Sequence, residues 1–139
     1  MTSIVSGSGK PTPVRFDGFV PERSGIDAYG NGGFRFAGMS HRGHLLVLSD
    51  GTYAWTVASP VSPADFTAPL LLLLDRLDEP QFLLVGTGRQ QIFPEARVRS
   101  AFLERRIGLE AMDTGAACRT YNVLLAEKRP VMVALVAVE

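Results

Sequence analysis

One cysteine, Cys118, stands in 139 residues. A lone thiol closes no internal disulfide, which points to a reducing compartment. Charge of either sign is not in excess, because 14 Lys and Arg face 14 Asp and Glu. Nucleic-acid binders and anionic-membrane binders rely on surplus basic residues, so both classes are disfavoured. Long apolar runs are also missing. The leucines of residues 70–74 are closed by Asp75 and Arg76, far short of the about 20 residues that a membrane helix needs. Residues 1–13 are rich in Ser, Gly, Thr and Pro. They show neither the apolar centre of a signal peptide nor the arginines of a transit peptide. The expected location is the cytoplasm. Only two histidines occur, His41 and His44.

What is present is enough apolar residue for a core, 46% of the chain, in a length that fits one domain. Residues 1–13 read as a tail and 14–139 as a single α/β domain. The front is rich in glycine. Short strands at 26–30 and 33–37 flank Gly30-Asn31-Gly32-Gly33, a hairpin turn that tolerates positive φ. Further strands are expected at 44–48 and 53–57. After Pro60 the period changes. Ser62-Pro63 opens a helix expected to run to about residue 77, kinked or split by Pro69. Residues 82–85 read as a buried strand, 94–106 as a helix stopped at Gly108, and 109–112 as a strand. Asp113 then caps a helix with Ala117, Tyr121, Leu124 and Leu125 on one stripe. Lys128 and Arg129 suit its negative end. Residues 131–138 close as a buried strand. Alternating strands and helices predict a three-layer α/β sandwich with a mixed, largely parallel central sheet, plus N-terminal antiparallel hairpins.

Several motifs invite a chemical reading. Gly86-Thr87-Gly88-Arg89 lies between a strand and a helix, where a glycine turn can offer N–H groups to an anion. The dinucleotide fingerprint needs a further glycine where Gln91 stands, and the phosphate-loop Lys-Ser/Thr pair is missing. Asp113-Thr114-Gly115 matches the triplet of aspartic proteases. Here it opens a helical segment, so Asp113 reads as a cap. Cys118, early in that helix, has no histidine placed beside it by sequence. It reads as a small buried hydrophobe, slow to alkylate. His41 and His44 lead into a strand, where their spacing turns them to opposite faces, away from a shared metal. Arg119 suits an anion or an ion pair with Asp113 or Glu127. No catalytic constellation, metal site or cofactor site is expected.

The stretch Leu84-Val85-Gly86-Thr87-Gly88 and the run Met112-Asp113-Thr114-Gly115-Ala116-Ala117-Cys118-Arg119-Thr120-Tyr121-Asn122 resemble one family. It is that of mitochondrial complex I assembly factor three and its bacterial and archaeal relatives. Asp50-Gly51 and Trp55 fit the same pattern, and the resemblance covers residues 14–138. It implies a three-layer α/β fold whose last strand runs antiparallel, no established enzyme activity, and protein partners such as membrane-complex subunits. Mitochondrial members help assemble the respiratory NADH dehydrogenase.

Two functions from different classes follow. One is a non-catalytic binding or assembly module. The other is a small-molecule or anion-binding enzyme or sensor. In open α/β sheets ligands sit beyond the carboxyl ends of the strands. The expected site therefore gathers Gly86, Thr87, Gly88, Arg89, Asp113, Thr114, Gly115 and Arg119, provided that their strands are neighbours.

Overall fold

Short, continuous apolar runs in the second half of the chain build the centre of the protein. A computed structural model describes residues 23–77 and 82–139. The expected tail and the boundary at residue 14 lie outside them. The order is β1 (Ala28–Gly30), β2 (Gly33–Phe36), β3 (Met39–Arg42), β4 (Leu45–Leu48), β5 (Gly51–Ala54), a 3-10 turn (Pro63–Phe66), α1 (Thr67–Leu74), β6 (Phe82–Gly86), α2 (Ala96–Glu104), β7 (Gly108–Met112), α3 (Thr114–Ala126) and β8 (Val131–Leu135).

β1, β2 and β3 form a small antiparallel sheet. Its first turn places Asn31 and Gly32 at φ 52° and 79°, the left-handed pair that a tight hairpin wants. The other strands form one five-stranded sheet in the order β5-β4-β8-β6-β7. β6 runs parallel to both β7 and β8, whereas β4 runs antiparallel to β5 and β8. The sheet is therefore mixed, with its parallel part confined to three strands. The expectation of an antiparallel last strand needs correcting: β8 is the hinge of the mixture, parallel on one side and antiparallel on the other.

Period two sorts the side chains of each strand to opposite faces. On one face Leu83, Val85, Met132 and Ala134 meet Phe66, Leu70 and Leu73 of the α1 region and Val98 and Phe102 of α2. On the other, Leu84, Val131, Val133 and Leu135 meet Ala117, Cys118 and Tyr121 of α3 and Phe34 and Phe36 of the small sheet. Three layers result: two helices, the large sheet, then α3 with the small sheet.

One expectation is met and two local departures from the sequence reading have physical causes. The helix expected over 62–77 is split, at Thr67, as Pro69 implied, because a proline ring clashes with a carbonyl four residues back. Residues 63–66 wind as a 3-10 turn instead, with the Asp65 carboxylate accepting from the N–H groups of Val61 and Ser62 at 2.8 and 3.0 Å. Gly108 does not stop α2. Arg106 takes the left-handed position at φ 61°, and Ile107 N–H closes on the Phe102 carbonyl at 2.9 Å. Gly108 begins β7 and leaves room for the Phe82 ring, which stands 2.5 Å from where a Cβ would be. The strand β3 is additional. Its sequence Met-Ser-His-Arg has no apolar alternation, and pairing with β2 alone defines it.

Candidate functional site

Because β6 and β7 are parallel neighbours, their carboxyl ends lie side by side. Both glycine turns leave from that edge, so the condition for a shared site is met. A web of backbone and threonine bonds joins them. Thr87 N–H donates to the Met112 carbonyl at 2.8 Å, and Thr114 N–H to the Gly88 carbonyl at 2.8 Å. The Thr114 hydroxyl accepts from Gly88 N–H at 2.9 Å and donates to the Val136 carbonyl at 2.7 Å. Thr114 is fully buried, and one hydroxyl thus fastens β6, α3 and the end of β8. Gly86 packs directly on it, since a Cβ there would stand 3.0 Å from the Thr114 Cα. Gly88, at φ 105°, provides the bend. The Thr87 hydroxyl donates to the Gln90 carbonyl at 2.6 Å and accepts from Ile92 N–H at 3.0 Å, folding the next residues back.

Asp113 caps α3 by accepting from Ala116 N–H at 2.9 Å. Gly115 is buried under the Tyr29 phenol, which occupies the space that a Cβ would need. Arg119 reaches the same spot: one guanidinium nitrogen is 3.4 Å from that missing Cβ. Arg119 and Arg89 are exposed, Asp113 is half-buried, and Gly86, Thr87, Gly88, Thr114 and Gly115 are buried. Three N–H groups that a glycine turn and a helix start would show to an anion, those of Gly88, Thr114 and Ala116, all bond within the protein.

Nucleophilic and titratable groups nearby are quiet. Cys118 is buried among the α3 contacts, and desolvation pushes its thiol up to about 12. His41 Nε2 lies 2.9 Å from the His44 carbonyl, and His44 Nδ1 accepts from Ala137 N–H at 2.9 Å. Among the described residues no cluster of His, Cys, Asp or Glu could hold a metal ion. No helix among them is long and apolar enough to cross a membrane.

Residue-level reasoning missed the clamp that α3 makes on the front of the chain. Asn122 accepts from Ile26 N–H at 2.8 Å and donates to the Ile26 carbonyl at 2.9 Å. The Tyr121 hydroxyl donates to the Ser24 carbonyl at 2.9 Å. Their place within the signature run was the only hint available. Tyr29 over Gly115 carried no signal at all.

The clamp and the Thr114 pin mark two ends of a unit, Ile26 and Val136. Residues 26–136 match the family described as "Protein of unknown function (DUF498/DUF598)". The chain belongs to this family. Its relatives include an uncharacterised protein of Rhodobacter capsulatus, 35% identical over 125 residues and 90% of both chains. The human NADH dehydrogenase [ubiquinone] 1 alpha subcomplex assembly factor 3 is 32% identical over 111 residues. That alignment covers 80% of this chain and 59% of the human factor. Among solved structures, a Bartonella henselae protein described as an outer membrane protein is 43% identical. It aligns over 86% of this chain and 99% of its own, with a TM-score of 0.73. The DUF498/DUF598 match thus begins at the residue that Asn122 clamps and ends at the residue that Thr114 pins.

Proposed function

We propose that the chain is a protein-binding assembly module that serves the biogenesis of a respiratory membrane complex, working as a peripheral protein at the inner membrane. The observation that carries this reading is the 32% identity with the human assembly factor across 80% of the chain. The chemistry of the site supports it. The Thr114 hydroxyl, the N–H groups of Gly88, Thr114 and Ala116 and the Asp113 carboxylate are engaged in internal bonds, and Cys118 is held as a thiol. Of the set Gly86, Thr87, Gly88, Arg89, Asp113, Thr114, Gly115 and Arg119, the two exposed guanidiniums remain for a partner. A guanidinium recognises carboxylates and polar backbone in a fixed fork. In this reading the turns are a scaffold that holds Arg89 and Arg119 out toward an acidic or polar segment of a subunit.

The test is affinity isolation of the tagged full chain from native membranes, beside the double variant Arg89→Ala/Arg119→Ala. Subunits of the respiratory NADH dehydrogenase should copurify with the unaltered chain. The double variant should melt at the same temperature and lose them. Absence of such subunits from the unaltered chain would overturn the assembly reading. Full retention by the folded double variant would overturn the arginine site.

A further inference from the structure

After β8 each of the next three residues bonds through its backbone to a different part of the molecule. Val136 N–H donates to the Gly86 carbonyl at 2.8 Å. Ala137 N–H donates to His44 Nδ1 at 2.9 Å. The Val138 carbonyl accepts from Gly32 N–H at 2.8 Å, in the turn between β1 and β2. The segment therefore bridges the large sheet and the small one, and its central bond is to a side chain that titrates.

A backbone N–H can only donate, so His44 Nδ1 must be bare and its Nε2 must carry the proton. Protonation would place an N–H on Nδ1 facing the Ala137 N–H, donor against donor. We propose that His44 is an acid-sensitive latch: neutral, it holds residues 137–139 against the small sheet, and protonated, it lets that segment go. Opening is local, because the Asn122 clamp and the packed rings of Phe34 and Phe36 hold the small sheet independently.

The surroundings favour the neutral form. Burial lowers the proton affinity of His44. β4 and β8 contribute no titratable side chain. From β3, the buried His41 sets its ring nitrogen on the His44 carbonyl, and a charge on either imidazole opposes one on the other. Arg42 and Glu139 flank Gly32, at 3.8 and 3.7 Å from where its Cβ would stand. The sign follows from linkage: the folded imidazole binds its proton less readily than the unfolded one. The latch is fully closed above the ordinary histidine value of 6.5 and weakens as pH falls below it.

Hydrogen exchange of the full chain, read by NMR at single amides and corrected for intrinsic pH dependence, tests this. The Ala137 and Gly32 amides should lose about tenfold or more of their protection once His44 is protonated. Amides of β6 should not change. His44→Asn, whose side-chain oxygen accepts without titrating, should abolish the pH dependence. His41→Gln should leave it in place. If that Asn variant fails to fold, the unaltered chain still decides. The Ala137 amide shift must then titrate with the His44 ring, at a midpoint below 6.5. Protection at Ala137 that ignores pH, or follows His41, or persists in its pH dependence in His44→Asn, would overturn the latch.

Discussion

The two faces of the large sheet are held by different physics. The face under α1 and α2 is closed by apolar area, with Trp55, Phe66, Leu70 and Phe102 all buried in one cluster. Its polar bonds sit at the rim: Thr67 to Glu95 at 2.6 Å, and Arg105 to the carbonyls of Leu74 and Leu77, each at 3.0 Å. The face under α3 is just as buried, but polar groups penetrate it. Thr114, Tyr121, Asn122 and His44 each bond to a backbone group far away in sequence. Apolar area is non-directional and tolerates repacking. Buried hydrogen bonds are directional and expensive to leave unmade. One face thus supplies bulk stability, whereas the other fixes where the front and the end of the chain must lie. Within residues 112–122, Thr114, Tyr121 and Asn122 make these bonds on the second face, whereas Val85 and Trp55 pack on the first.

The largest expected effect that sharpens this contrast is kinetic. With its thiol raised from 9.0 to about 12, Cys118 should react with a thiol reagent at pH 8 on the order of a thousandfold slower than a peptide cysteine. Labelling at the peptide rate would mean that the α3 face opens readily. The next is Phe102→Ala on the apolar face, which should cost about 3–5 kcal/mol in a denaturant melt, as other large core truncations do. A loss under 1 kcal/mol would show that α2 contributes little to stability. Thr114→Val should cost about 2–3 kcal/mol, because the Gly88 N–H and the Val136 carbonyl are both stranded. Thr114→Ser keeps the hydroxyl and should recover most of that loss. A larger loss in Ser than in Val would mean that the methyl packing matters more than the hydroxyl.

Local rules made much of this legible. The helical period read over residues 94–106 and after Asp113 becomes α2 and α3. Asp113 reads as a cap from its position alone and is one. Residues 82–85 and 131–138 read as strands from short apolar runs, and the observed strands cover 82–86 and 131–135. The rest depends on the path of the chain. Nothing local links Asn122 to Ile26, 96 residues away. Nothing local says that β3 exists, since its residues become a strand only beside β2. In the site, the edge shared by the two turns followed from the parallel order. The role of Thr114 did not, because the partner that fixes it, the Val136 carbonyl, arrives from a third strand.

The strand order also bears on how the molecule is made. β8, translated after the other described strands, lies in the middle of the sheet, between β4 and β6. Before residues 131–135 join, any pairing of β4 with β5 and of β6 with β7 leaves a bare edge where β8 belongs. Unpaired edges invite pairing with other chains. Closing the sheet also requires contacts that span most of the sequence, which slows folding. A nascent chain of this topology is therefore vulnerable throughout its synthesis. The wait ends only when one strand of five residues, Val131–Leu135, inserts and joins the two halves.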